Sequence, residues 1–86
     1  MNKRLLIDYS WIIRGRQRRA ILKNLDKPKT PTIIKEETGI KVSNVSDVLR
    51  AMERKHIVKC LNPKEKLGRL YDLTPLGKGL RKEILL

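Results

Sequence analysis

At 86 residues the chain has room for one small domain, too little to hold a large enzyme fold around a roomy substrate pocket. Lys and Arg number 21 against 9 Asp and Glu, a net charge of +12, so the first partner to consider is a polyanion, either nucleic acid or an anionic membrane surface. A hydrophobic content of 40% argues against disorder, and one Trp, two Tyr and no Phe leave little with which to stack single-stranded bases.

The charge is uneven. Residues 1–29 hold nine basic and two acidic residues, residues 30–55 five and four, and residues 56–86 seven and three. A nearly neutral middle therefore lies between two basic flanks. Cys60 stands alone, which excludes an internal disulfide and a multi-cysteine zinc site, and His56 is the one histidine. No metal and no cofactor is expected. No apolar run approaches the roughly 18 residues of a membrane span, and no secretory signal is visible. A reduced, intracellular setting fits this composition; a cytoplasmic location, associated with the nucleoid, is expected only if the polyanion is DNA.

Residues 1–9 carry no clear element. Ser10 can cap a helix running to about residue 25, with Ile13, Ala20, Ile21 and Leu25 as its stripe and Gly15 as a weak point. Pro28 and Pro31 bound the next connection. Thr30-Pro31 is a helix start, since Thr can cap and Pro suits the first position; that helix ends at about Thr38, with Gly39 as a left-handed stop. Ser43 can cap a helix over 44–55, whose stripe Val45, Val48, Leu49 and Met52 follows i, i+3, i+4, i+7. Residues 57–61 and 69–73 read as two strands of a hairpin, broken at Asn62-Pro63. Thr74-Pro75 repeats the cap-and-Pro signal before a last helix marked by Leu76, Leu80 and Ile84.

Two helices around a tight Gly-containing turn, followed by a basic hairpin, is the layout of a winged helix-turn-helix. Residues 30–58, TPTIIKEETGIKVSNVSDVLRAMERKHIV, resemble the helix-turn-helix of MarR-like and ArsR-like regulators. Residues 68–77, GRLYDLTPLG, resemble their wing exit, with its Tyr-x-Leu-Thr-x-x-Gly signature. Small archaeal transcriptional regulators with an Arg-rich first helix near RGRQRRAIL are similar as well. The resemblance covers residues 11–83 and departs from the family at two places. Lys35 occupies the slot where a small residue usually lets the helices cross, and His56 stands where many members have Gly.

The resemblance implies a mainly α fold with a β-hairpin. A three-helix core would carry a wing at about 62–69 and a C-terminal helix, in one domain over 1–86. It also implies a homodimer binding double-stranded DNA, with the helix at 44–55 in the major groove. Ser43, Asn44, Ser46, Asp47 and Arg50 then face base edges, where Asn suits adenine and Arg suits guanine. Asp47 can accept from a cytosine amino group or orient Arg50 from i to i+3. Arg54 lies on the same outward face. Lys41, Lys64, Lys66 and Arg69 are phosphate contacts. Arg14, Arg16, Arg18 and Arg19 spread over too wide an arc for one phosphate track.

No catalytic constellation is present, so the expected function is transcriptional regulation, by repression, and not enzymatic. Two rivals use the same fold: an architectural protein coating DNA with little sequence preference, and a winged-helix module that binds proteins in a nucleic-acid-processing assembly. Duplex RNA competes with DNA on charge alone. A membrane-surface role fits poorly, because the first helix has no clean apolar face opposite a basic one. Nothing in the sequence indicates a small-molecule effector.

Overall fold

The computed structural model describes residues 2–86; Met1, the first residue of the expected domain, lies outside them. The order is α1 (Lys3–Ile13), α2 (Arg16–Asn24), α3 (Pro31–Thr38), α4 (Val42–Arg54), β1 (Val58–Cys60), β2 (Tyr71–Leu73) and α5 (Pro75–Ile84). The strands pair antiparallel, with Val58 opposite Leu73 and Cys60 opposite Tyr71.

The single helix expected from Ser10 to about residue 25 is two helices. Asn2 caps the first, its Oδ1 accepting from Leu5 N at 2.8 Å, and Ser10 sits inside that helix and not at its start. Gly15, read in the sequence as a weak point within one helix, is the extended N-cap of the second. The Arg18 side chain reaches back across the break. Its guanidinium lies 4.3 Å from the Trp11 ring centroid and its Nη1 donates to Trp11 O at 2.9 Å.

The two Thr-Pro starts form as expected. Thr30 Oγ1 accepts from Ile33 N at 3.3 Å, and Gly39 closes α3 in the left-handed region at φ 76°. His56 is left-handed too, at φ 60°, a region that favours glycine. Lys35 stays out of the helix crossing. It lies on the exposed face of α3, while Ile34 is fully buried.

The core is one cluster built from all five helices and both strands. Ile12, Ile21, Leu22, Ile34, Val45, Leu49, Met52, Ile57 and Leu80 are wholly removed from solvent. Two charged side chains are buried with partners. Asp8 receives Arg4 Nε at 3.1 Å and lies 3.9 Å from Lys55 Nζ. Lys29, in a stretch that read as a connection between two prolines, exchanges both backbone hydrogen bonds with Tyr71 and so adds a third rung beside the hairpin. Its ammonium donates to Asn24 O, Asp26 Oδ1 and Glu37 Oε1, so all three donors are used. Burial opposes the charge on Lys29, but the two carboxylates outweigh it and raise the pKa above the ordinary lysine value; the Lys29 hydrogen bonds in turn lower those of Asp26 and Glu37.

The last helix docks through its backbone. Thr74 Oγ1 donates to His56 O at 2.6 Å and accepts from Gly77 N at 3.1 Å, while Thr74 N donates to Ile57 O at 3.0 Å. Gly77 is buried directly over that junction: a Cβ there would sit 2.1 Å from Ile57 O. Gly79, two residues on, has nothing within 4 Å of such a Cβ. The two glycines therefore respond oppositely to the same substitution. Gly77→Ala lowers stability by about 1–3 kcal/mol through overpacking against rigid backbone. Gly79→Ala raises it by about 0.5–1 kcal/mol by removing a helix-interior glycine. Urea unfolding of the two variants beside the parent chain checks both signs.

Candidate nucleic-acid interface

Helix α4 is seated by Val45, Leu49 and Met52, all fully buried, and Val48 is half-buried beside them. That stripe fixes the rotation of the helix and turns Ser43, Asp47, Arg50 and Arg54 to solvent. The helix begins at Val42, two residues earlier than the Ser43 cap signal suggests. Lys41 holds the N-cap position without a side-chain hydrogen bond, and Ser43 lies exposed within the first turn, where it caps nothing. The tight turn after α3 decides this start: Thr38 Oγ1 donates to Ile34 O at 2.7 Å and accepts from Ile40 N at 3.2 Å, which delivers the chain into α4 at once.

Asp47 pairs with Arg50, its Oδ1 accepting from Nη2 at 2.5 Å. Both side chains are more than half exposed, at 67% and 59%, so the pair adds under about 1 kcal/mol to stability. Of the two roles open to Asp47, the geometry matches the orientation of Arg50 one turn away.

The hairpin loop is organised by Asn62. Its Oδ1 accepts from Leu70 N at 2.7 Å and from Cys60 Sγ at 3.4 Å, and its Nδ2 donates to Gly68 O at 3.1 Å. Glu65 N closes the turn on Asn62 O at 3.0 Å, and Gly68 adopts φ 65°. Lys64 and Lys66 are exposed on the loop. Arg69 is half-buried at its base, its guanidinium 6.0 Å from the Tyr71 ring centroid and its Nε buried without a hydrogen-bond partner.

Five of the relevant side chains, Thr32, Ser46, Arg50, Lys66 and Arg69, line one groove between the start of α3, the middle of α4 and the hairpin loop. Asp47 joins them through Arg50. Lys41, Ser43, Asn44, Arg54 and Lys64 do not line that groove. Asn44 is half-buried and the other four are exposed. Thr32 was not anticipated; its only sequence signal is its place one residue after Pro31 at the start of α3.

Five helices with a two-stranded antiparallel hairpin between the fourth and fifth match two solved regulators. The crystal structure of the reduced form of MarR from E. coli superposes with a TM-score of 0.70 at 24% identity, over 93% of this chain and 62% of that one. A MarR-family transcription regulator gives a TM-score of 0.70 at 24% identity, over 94% of this chain and 60% of the other. The fold is a winged helix-turn-helix. The chain spans about 60% of the length of these winged-helix structures. No family model and no curated protein matches the sequence.

The wing depends on Asn62 more than on any of its charged residues. Asn62→Ala removes two hydrogen bonds that span the loop and costs about 1–2 kcal/mol. It also speeds amide exchange of residues 64–70 relative to α4, measured by hydrogen exchange with mass or NMR detection. Unchanged protection of that loop would contradict the role given to Asn62.

Proposed function

We propose that the chain is a sequence-specific, double-stranded DNA-binding transcriptional regulator that represses as a homodimer. The observation that carries this reading is the outward face of α4, polar and free of core contacts, beside a basic wing that closes a shared groove through Lys66 and Arg69. A helix about 10–12 Å across fits a major groove about 12 Å wide. In that pose Asn44 pairs with adenine and Arg50, oriented by Asp47, with guanine, while Ser43 and Ser46 bond to nearby base edges. Lys41, Arg54, Lys64, Lys66 and Arg69 take phosphates, which set register and affinity without reading sequence.

The dimer reading rests on α1 and α5, which pack together and leave Leu6, Ile7, Leu85 and Leu86 each more than half exposed. Two α4 helices held this way address two half-sites, and occupation of such a site obstructs transcription. The MarR-family likeness supports regulation; the +12 charge supports a polyanionic partner.

Selection from a pool of random duplexes at about 150 mM salt tests the proposal, because that salt suppresses much of the purely electrostatic binding. A discrete motif is expected, arranged as two symmetric halves about one helical turn apart. Arg50→Ala then relaxes the preference at one base and costs about 1–3 kcal/mol, while Lys64→Ala weakens all duplexes alike and lowers the salt slope by about 1. Uniform enrichment would favour an architectural protein, and no retained DNA would favour a protein-binding module.

A further inference from the structure

The arginines of the α1–α2 corner lie outside the roles assigned above. Between Asp8 and Asp26 the sequence carries five basic residues and no acid. The structure separates them. Arg18 is consumed by Trp11, through the stacking and the hydrogen bond already described. Arg14 and Arg16 are exposed, and neither forms an ion pair among the described residues. Arg14 donates from Nε to Ser10 O at 3.3 Å, which leaves its terminal nitrogens available.

The corner also has a defined place. Arg14, Arg16, Gln17 and Arg18 line a second groove together with Val48 of α4. At 3.6 residues per turn, Val48 lies about half a turn around α4 from Ser46, the residue that faces the wing groove. The outward face of α4 is therefore bordered by two basic elements, the wing on one side and the corner on the other.

Resting on the DNA-binding reading above, we infer that Arg14 and Arg16 form a second phosphate-binding flank, which grips the backbone on the side of the major groove opposite the wing. A helix seated in a groove barely wider than itself has a phosphate backbone on each flank. A wing alone would serve one of them. Arg14 and Arg16 present free guanidinium groups to the other, and Gln17 adds a neutral donor to the same groove. The corner carries no base-reading role, so it adds affinity and orientation without changing the preferred sequence.

Salt titration of duplex binding tests this. For Arg14→Ala/Arg16→Ala, the slope of log affinity against log salt should fall by about 2, near 0.9 for each lost phosphate contact, with the selected motif unchanged. Arg14→Lys/Arg16→Lys should retain most of the slope. Lys78→Ala/Lys82→Ala removes the same charge from the exposed side of α5 and should lower the slope much less. Arg16→Glu guards against a folding artefact. It places an acid at the first position of α2, where the helix dipole favours it, so it should hold or raise the unfolding midpoint while weakening DNA binding. An unchanged slope in Arg14→Ala/Arg16→Ala, or an equal fall in the Lys78/Lys82 variant, would overturn the assignment while leaving DNA binding intact. Failure of the parent chain to bind any duplex would overturn the DNA-binding reading itself, and this flank with it.

Discussion

The burial of Val45, Leu49 and Met52 along one side of α4 is the constraint on which the rest of this molecule depends. Three fully enclosed side chains at i, i+4 and i+7 leave the helix a single rotation, and that rotation alone turns Ser43, Asp47, Arg50 and Arg54 outward. The far end of the helix is fastened just as firmly. Ile57 N donates to Met52 O at 2.9 Å, Arg4 Nη2 donates to Lys55 O at 3.0 Å, and the Lys55 ammonium lies 4.9 Å from the Trp11 ring centroid. The outward face of α4 is thus mounted on α1 as well as on its own helix-turn-helix, and an interface built from α1 and α5 would govern how two such faces are spaced.

The placement of charge follows from the same arrangement. Among the described residues, four of the nine acidic residues are drawn into ion pairs: Asp8 with Arg4 and Lys55, Asp26 and Glu37 with Lys29, and Asp47 with Arg50. Three of these four hold the frame, and the fourth, Asp47, orients Arg50 on the outward face of α4. Lys64 and Lys66 on the wing and Arg14 and Arg16 at the corner have no acidic partner among the described residues, and Lys66 on one side and Arg14 and Arg16 on the other line grooves against α4. Self-repulsion of this kind destabilises a compact chain unless a polyanion relieves it.

Local signals made α3 and α5 legible, because a capping Thr followed by Pro acts within one turn and needs no distant partner. The apolar stripe of α4 was legible for the same reason, although its start was not: the turn from Gly39 to Lys41 sets where the helix begins, and Ser43 only imitates a cap. Gly15 marks a weak point in the sequence, but the full break between α1 and α2 has no local signal. Its support comes from Arg18 folding back onto Trp11 seven residues earlier, a contact with no periodic signature. Lys29 read as part of a connection because its strand partner, Tyr71, is 42 residues away. Among the site residues, α4 and the wing were reached through family resemblance. The corner arginines were visible as charge, but only the packing of α2 against α4 shows which of them border α4.

The most direct test of this account is to follow the backbone amide resonances of the labelled 86-residue chain as a duplex selected from a random pool is added. The account predicts shifts at three places, residues 43–54, 64–69 and 14–17, with the Lys29 cluster and the outer face of α5 unmoved. Shifts confined to α1 and α5, or spread evenly over every basic surface, would contradict the claim that α4 and its two basic flanks form the DNA-binding face.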